Sequence, residues 1–146
     1  MMDIEPFARL VGADHGLAVV ALALPDGTAH TSVTNAGVLA HPVSGEPVVG
    51  VVARGNARKL GYLRAHPRAT IVLRAGWQWS AVEGPVDLAG PDDPLPGVDA
   101  DRLRLLLREI FAAAGGQHDD LTEYDRVMAA ERRTAILLTP ARRYGN

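Results

Sequence analysis

Six segments with the composition of β-strands lie between residues 16 and 88 of this chain, and one short helix is predicted among them. Turn-favouring residues separate these segments, among them Pro25-Asp26-Gly27 and the loop at residues 42–47. Strands so closely spaced leave no room for the helices that connect the strands of a parallel sheet. The pattern therefore predicts an antiparallel β-barrel. The predicted strands are residues 16–24, 28–35, 38–41, 47–53, 70–74 and 78–88.

The remainder of the chain is predicted to form helices and one last strand. Helices are predicted at residues 3–11, 57–65, 99–114 and 121–130, and the strand at residues 134–139. In the third helix, apolar residues recur at helical spacing and are expected to pack on the barrel or on a partner: Leu103, Leu106, Leu107, Ile110 and Phe111. The chain has 146 residues, of which 47% are hydrophobic and 22% charged, so a single globular domain spanning residues 1–146 is expected.

Positive charge is concentrated in one stretch of the predicted barrel. Residues 54–74 hold six cations and no carboxylate, although the net charge of the chain is −2. The only lysine of the chain, Lys59, lies in this stretch. Such a concentration of charge indicates an anionic ligand, and a solvated basic face is the alternative. Nucleic acid is disfavoured, because the chain is acidic overall, has 5% aromatic residues and lacks a stacking motif.

The start of the basic stretch has the pattern of a strand, a turn and a helix. The apolar strand 47–53 runs into Gly55 and Asn56, and Asn56 is a favourable residue for capping the next helix. Arg58 and Lys59 then fall in the first helical turn, where acidic residues are usual because the unpaired N–H groups make that end positive. Two cations beside free N–H groups form an anion site, and phosphate is its usual occupant.

The strand predicted at residues 28–35 is unusually polar for the neighbour of an apolar strand. Because successive side chains of a strand point to opposite faces, its residues divide into two sets. These sets are His30, Ser32 and Thr34 on one face and Thr31, Val33 and Asn35 on the other. One of the two faces is therefore expected to meet water or a polar ligand.

Several kinds of reactive site are missing from the sequence. There are no cysteines, the five histidines show no metal-ligand spacing, and neither a Gly-x-Ser-x-Gly turn nor a Walker-type phosphate loop is present. No metal site is predicted, and no side chain stands out as catalytic. His118-Asp119-Asp120 directly precedes a helix and is expected to cap it. A phosphate site with few candidate acids or bases predicts that a bound cofactor does the chemistry.

The location of the protein is predicted from what the sequence contains. Its first residues are acidic, and no apolar stretch approaches the length of a membrane span. The lack of cysteine is typical of proteins in a reducing compartment. We therefore expect a cytoplasmic protein that does not insert into a membrane.

Four segments together resemble the split-barrel flavin and deazaflavin oxidoreductases related to pyridoxamine 5'-phosphate oxidase. They are the strand pair at residues 17–35, the segment 58–69 from Arg-Lys to His-Pro-Arg-Ala, the segment 76–84 with its Val-Glu-Gly end, and the ending 124–133 with 140–145. The likeness covers nearly the whole chain. It implies a mainly β fold, a split β-barrel of the FMN-binding type with six to seven mostly antiparallel strands and short flanking helices.

Within that family the chain is similar to short members predicted to use coenzyme F-420, a deazaflavin whose phosphate continues into a lactate and oligoglutamate tail. The resemblance implies an F-420-dependent reductase that transfers a hydride from the reduced cofactor to an unsaturated small molecule. It also implies a homodimer with two cofactor grooves at the subunit interface.

Residue by residue, the resemblance implies a set of cofactor contacts. Arg58 and Lys59 match the phosphate-binding positions, and Arg54 and Arg64 are further cations for a charged tail. The strand that lies along the ring is matched by Ser32, Val33, Thr34 and Asn35, and the strand end at the ring edge by Ala53. The segment that reaches the groove of the partner subunit is matched by Trp77, Gln78 and Trp79. Asn56 is the candidate contact in the turn before the basic helix. The two indoles have a second interpretation, as packing in the dimer interface.

One departure from the family pattern concerns the phosphate site. Many relatives carry a serine or threonine just ahead of the basic helix, whereas this chain has Val52-Ala53-Arg54. Gly55 and Asn56 are the residues of the turn that offer backbone or amide donors in place of the missing hydroxyl.

Other functions are compatible with the same resemblance. An FMN-dependent oxidoreductase would use the same phosphate site, and a true pyridoxamine phosphate oxidase usually has a longer chain with extra substrate-phosphate residues. A non-enzymatic flavin- or tetrapyrrole-binding module belongs to a different class. For an enzyme, the candidate proton donors are solvent, Tyr62, Tyr144 and His41.

Overall fold

Seven strands and four helices make up the part of the protein that the computed structural model describes, residues 2–146. In chain order they are α1 (Glu5–Val11), β1 (Leu17–Ala23), β2 (Ala29–Ala40), β3 (Pro47–Ala53), α2 (Arg58–Ala65), β4 (Arg68–Ala75), β5 (Gln78–Ala89), α3 (Ala100–Ala113), α4 (Leu121–Ala130), β6 (Thr134–Leu138) and β7 (Arg142–Gly145). None of these helices has the length and the apolar composition that a membrane span requires.

Six of the strands close into a barrel in which all neighbours are antiparallel. Their hydrogen-bonded order is β4-β1-β2-β3-β6-β5, and β5 pairs again with β4. Closure depends on a bend in β5 at Gly84–Pro85, because residues 78–85 pair with β4 and residues 86–89 pair with β6. The predicted antiparallel barrel is confirmed.

Strand β2 differs from the prediction. The sequence suggested two strands, at residues 28–35 and 38–41, but one continuous strand of 12 residues is present. The prediction placed the end of one strand before Ala36 and the start of the next after Gly37, yet both residues are buried in the middle of the strand. A Cβ atom on Gly37 would lie 2.6 Å from atoms of Ala113, so the glycine allows close approach of α3 rather than a turn.

Strand β7 was not predicted. Its four residues Arg142–Gly145 are mostly polar and have no apolar alternation, so local pattern gave no signal. They form a strand because they pair with residues 80–83 of β5, which lie about sixty residues earlier in the chain. The last strand of the barrel, β6, is confirmed, and it ends at Leu138, one residue before the predicted end.

The core has two parts. Inside the barrel, α1 and α2 contribute Phe7, Leu60 and Leu63 to a cluster with the inward residues of the strands. Outside it, α3 covers β3 and β6 through Leu106, Leu107 and Ile110, as its apolar face predicted. Both long C-terminal helices are capped by aspartate: Asp99 accepts from the N–H of Arg102 at 2.8 Å and Asp120 from that of Glu123 at 3.1 Å. The predicted capping role of the His118-Asp119-Asp120 segment is thus confirmed for Asp120.

Candidate functional site

The barrel is open along one seam, between β2 and β3. Residues 29–35 of β2 pair with β1, whereas residues 36–40 pair with β3. Beyond Val51, β3 continues to Ala53 with β6 as its partner and no longer pairs with β2. We call the resulting gap between residues 29–35 and the end of β3 the split cleft. Strand edges that separate in this way leave backbone N–H and C=O groups available to a ligand.

Helix α2 begins beside the split cleft with two cations and no side-chain cap. The residue before the helix is Ala57, which has extended backbone angles and no side chain that can accept a hydrogen bond. Among residues 2–146 no acceptor is found for the N–H groups of Arg58 and Lys59. This end of the helix therefore offers two backbone donors and two positive side chains to an anion.

Asn56 does not cap α2, and the prediction that it does is wrong. The N–H of Ala57 donates to the carbonyl oxygen of Arg54 at 3.0 Å, which places Asn56 inside a turn. The chain leaves that turn extended, so the helix starts one residue later than capping by Asn56 requires. Asn56 is exposed and lines a shallow depression together with Arg54, Gly55 and residues 130–132.

Lys59 lies half-buried at the split cleft. Its Nζ donates to the hydroxyl oxygen of Ser32 on β2 at 3.2 Å. Burial lowers the pKa of Lys59 below its ordinary value, and the positive charge of Arg133 lowers it further. No carboxylate in the described part of the chain forms an ion pair with Lys59 or with the exposed Arg58. An anionic ligand would supply the missing negative charge.

The other arginines of the basic stretch are engaged by protein groups. Three of them face carboxylates and one faces a carbonyl oxygen: Arg64 with Asp93 at 2.8 Å, Arg68 with Glu83 at 2.7 Å, Arg54 with Glu131 at 4.0 Å, and Arg74 with Gly76 at 3.0 Å. Arg64 forms two hydrogen bonds with its partner and is therefore poorly placed to receive a cofactor tail. The long pair of Arg54, whose side chain is 64% exposed, leaves that residue accessible.

The stability of the protein is expected to rise with pH relative to that of a Lys59→Gln variant. Because the native-state pKa of Lys59 lies below its ordinary value of 10.5, the unfolded chain binds more protons than the native protein between those two values. The free energy of unfolding of the wild type therefore increases relative to that of the variant as pH rises through this window. Urea unfolding of both proteins between pH 7 and about 10.5 measures the difference.

The control for this measurement is Arg58→Gln. A guanidinium stays charged over the whole range, so the difference between Arg58→Gln and the wild type is expected not to change with pH. A difference for Lys59→Gln that is equally independent of pH would contradict the burial of its ammonium group.

A cavity of about 360 Å³ adjoins the split cleft, between the two separating strands and the C-terminal helices. Thr34 and Asn35 line it from β2, Val52 from β3, and Phe111, Tyr124, Met128 and Arg133 from the opposite side. The Asn35 amide donates to the carbonyl oxygen of His15 at 2.7 Å, and the Tyr124 hydroxyl donates to that of Leu107 at 3.1 Å. Burial raises the pKa of Tyr124, so its hydroxyl keeps its proton.

Arg133 is a functional candidate that the sequence did not single out. It follows α4 and donates from Nε to the Glu131 carboxylate at 2.9 Å. The Gly55 N–H donates to the carbonyl oxygen of Glu131 at 3.1 Å, and a Cβ on Gly55 would lie 2.7 Å from the carbonyl oxygen of Arg132. This tight packing connects the turn before α2 to the segment that carries Arg133. In the sequence, Arg133 was marked out only by lying in segment 124–133, which is one of the segments that resemble the split-barrel family.

The remaining predicted cofactor residues lie at different places around the barrel. Ala53 is buried at the end of β3, opposite Thr134 of β6. Val33 points to the outer face of the barrel and is 69% exposed. Trp77, Gln78 and Trp79 belong to the β4–β5 hairpin, which contributes no residue to the cavity beside the split cleft. Trp77 is 94% exposed, so within one chain it contacts little.

His41, one of the candidate proton donors, is fixed in the turn between β2 and β3. Its Nδ1 accepts from the N–H groups of Val43 and Ser44, at 3.1 and 3.3 Å. Because Nδ1 is an acceptor, the proton lies on Nε2, which donates to the Asp87 carboxylate at 2.9 Å. These contacts give His41 a structural role in holding the turn.

The two candidate tyrosines are also in contact with other rings. Tyr62 of α2 lies against His30 of β2, with ring centroids 5.2 Å apart. Tyr144 of β7 meets Trp79 edge-on, and the guanidinium of Arg142 lies over its ring. In residues 2–146, no three His, Asp or Glu side chains gather around a point where a metal ion could bind.

The residues at the split cleft fit a planar ring with a phosphate attached. Arg58, Lys59 and the free N–H groups of α2 match the charge and the donor requirement of a phosphate. The Ser32 and Thr34 hydroxyls, the strand edges and the cavity beyond them match a flat ring that carries polar atoms at its edge. The donor set thus agrees with a flavin or deazaflavin phosphate.

A closed antiparallel barrel with one open seam and a basic helix start beside it has the architecture of the FMN-binding split barrels. Solved structures show the same fold. A conserved hypothetical protein from Mycobacterium tuberculosis is 17% identical, with a TM-score of 0.68 over 99% of this chain and 84% of the other. A pyridoxamine 5'-phosphate oxidase-related, FMN-binding protein from Nostoc punctiforme is 12% identical, with a TM-score of 0.64 over 98% of this chain and 84% of the other.

An F-420 reductase is similar as well, at 15% identity and a TM-score of 0.59, over 90% of this chain and 91% of the other. No protein-family model matches the sequence. At these identities the likeness establishes the fold. The chain is a split β-barrel of the FMN-binding type, and the resemblance drawn from the sequence is confirmed at that level.

Proposed function

We propose that this protein is an oxidoreductase that binds coenzyme F-420 in the split cleft and uses it to reduce an unsaturated small molecule. The observation that carries the proposal is the pair Arg58 and Lys59. Both lie at an uncapped helix start, neither has a carboxylate partner in residues 2–146, and Lys59 reaches into the cleft as far as Ser32. A half-buried, unpaired ammonium group is unfavourable without a ligand, and a phosphate removes that cost.

The residues of the chain would bind and orient the cofactor. Arg58, Lys59 and the N–H groups of α2 hold the phosphate, and Ser32, Thr34 and Asn35 lie along the ring. Arg54, whose side chain is 64% exposed, is a further cation for a charged tail. A bound deazaflavin supplies hydride transfer and reacts poorly with oxygen, which makes the proposed enzyme a reductase rather than an oxidase. The accompanying proton is proposed to come from solvent.

The proposed homodimer is supported by an apolar row on the outer face of the barrel. Register places Val33, Val19, Val72, Ala81 and Tyr144 side by side on five adjacent strands. The side chains of Val33, Val19 and Tyr144 are 69%, 40% and 40% exposed. Val72 is only partly exposed and Ala81 is buried, so the exposed apolar side chains of the row are those of Val33, Val19 and Tyr144. Exposed apolar side chains that follow one another across a sheet are typical of an interface. Trp79 contacts Tyr144 of this row, and the exposed Trp77 lies two residues before it in the same hairpin, so both are proposed to extend to the partner subunit.

The direct test is a titration of the purified protein with F-420 and, separately, with FMN, followed by quenching of tryptophan fluorescence. We expect F-420 to bind about tenfold or more tightly than FMN, because its tail carries carboxylates that Arg54 can pair. The reduced cofactor is then expected to be oxidised by conjugated carbonyl compounds in a protein-dependent reaction.

Other outcomes of the titration identify other functions. Tighter binding of FMN would place the protein among flavin-dependent oxidoreductases. Binding of F-420 without turnover of any acceptor would support a ligand-binding module. Failure to bind either cofactor would contradict the proposed site.

A further inference from the structure

We infer that a second cavity, next to the cavity that adjoins the split cleft, binds an uncharged and mainly apolar molecule and is the substrate pocket of the proposed reductase. Its volume is about 440 Å³, within the range of small-molecule sites. It lies between the loop at residues 90–98, the first half of α3 and the second half of α4. The role as substrate pocket rests on the proposed function, whereas the class of ligand follows from the cavity itself.

Apolar side chains form most of the cavity wall. The loop contributes Leu95 and Val98, α3 contributes Leu103 and Leu107, and α4 contributes Met128. Loops that cover a core normally collapse onto it, and an apolar space of this size between a loop and two helices is unusual for a small domain. A ligand with an apolar body would fill it.

The charged groups on the cavity wall already have protein partners. Asp99 accepts from the N–H of Arg102 at 2.8 Å as the cap of α3. Asp125 accepts from Nε of Arg108 at 2.9 Å, and Nη1 of Arg104 lies 3.5 Å from the same carboxylate. An anionic ligand would therefore enter an apolar space whose two arginines, Arg104 and Arg133, already pair with Asp125 and Glu131, which is unfavourable. This argues against an anionic substrate such as a carboxylate.

The cavity shares two wall residues with the cavity that adjoins the split cleft. Met128 and Arg133 line both this cavity and the one beside the separating strands. Arg133 uses Nε and Nη2 to bind Glu131, at 2.9 and 2.8 Å, so its Nη1 donors remain for a ligand. An uncharged molecule with one hydrogen-bond acceptor, such as a conjugated carbonyl compound, would place its acceptor at Arg133 and its apolar body in the cavity.

The test uses a neutral fluorescent probe, 1-aminoanthracene, and its charged counterpart, anthracene-1-carboxylate. We expect saturable binding of the neutral probe to the wild type and at least tenfold weaker binding of the carboxylate. The Ala129→Trp variant places an indole in the cavity and is expected to weaken binding of the neutral probe at least tenfold. Ala112→Trp is the matched control, because Ala112 is exposed on α3 and does not line the cavity.

Several results would overturn the inference. They are lack of saturable binding to the wild type, equal binding of the two probes, and equal effects of Ala129→Trp and Ala112→Trp. If thermal unfolding shows that Ala129→Trp is not folded, Leu103→Trp fills the same cavity from α3 and replaces it, with Leu105→Trp as its exposed control.

The same proteins separate this inference from the proposed function. Ala129→Trp is expected to bind F-420 within about twofold of the wild type, while its KM for a neutral conjugated carbonyl acceptor rises at least tenfold. Cofactor binding without probe binding would refute the substrate pocket and leave the proposed function standing. Probe binding without cofactor binding would refute the proposed function and support the ligand class of the cavity.

Discussion

Replacing Arg58 and Lys59 together with glutamine is expected to weaken F-420 or FMN binding by about 100-fold or more. Each side chain would lose a charge-assisted hydrogen bond to phosphate worth about 1.5–3 kcal/mol, and about 2.7 kcal/mol corresponds to 100-fold in affinity. Folding should be little affected, because Arg58 is exposed and Lys59 makes one side-chain hydrogen bond, to Ser32. Fluorescence titration measures the affinity, and urea unfolding measures the stability.

The matched control is Arg64→Gln with Arg68→Gln. It removes the same net charge from the same basic stretch, but both arginines are already paired, with Asp93 and Glu83. We expect this control to bind the cofactor within about threefold of the wild type, because long-range attraction between exposed charges is screened by salt. Equal losses in the two double variants would indicate general electrostatic attraction, and an unchanged affinity of the first would refute the phosphate site.

Val33→Glu is expected to convert the proposed dimer into a monomer and to raise its dissociation constant by about 100-fold or more. A two-fold interface presents each residue twice, so one substitution buries two unpaired carboxylates, each at a cost of several kcal/mol. In the monomer Val33 is 69% exposed on the outer face of β2, so the barrel itself should remain folded. Light scattering coupled to size exclusion measures the mass at several concentrations.

Leu105→Glu provides the control for the dimer. Leu105 is 40% exposed on α3, and it receives the same change from an apolar to an acidic side chain. We expect its mass to equal that of the wild type. A wild-type monomer, or a Val33→Glu protein that remains dimeric, would show that the outer apolar row is not the interface. If Trp77 and Trp79 reach the partner's cleft, the monomeric variant should also bind the cofactor more weakly than Leu105→Glu does.

Sequence patterns predicted best where the interactions are local. The helices at 57–65 and 121–130 were predicted within one residue of α2 and α4, because their ends are marked by turn or capping residues. Strand β2 was divided in error because Gly37 serves packing against α3, a contact with a distant part of the chain. Strand β7 was missed for a related reason, since its formation depends on pairing with β5.

The candidate site was predicted in part. The placement of Arg58 and Lys59 in the first turn of a helix follows from the residues around them, and the structure has them there. Which of the six cations of the basic stretch lack a carboxylate partner was not predictable from the sequence. The carboxylates that pair with Arg64 and Arg68 lie 29 and 15 residues away along the chain. Arg133 was not singled out, since its position at two cavities depends on how α4 packs beside the split.

The sequence by itself determined an antiparallel barrel, a basic helix start after the strand at residues 47–53 and the absence of thiol chemistry, because each depends on composition or on spacing within a few residues. The tertiary structure alone decided where the barrel opens, which cations are left without partners and which cavity adjoins the cleft. These features depend on strand register and on contacts between residues far apart in the chain. Each requires the closed barrel, because a local pattern does not specify which distant segments will become neighbours.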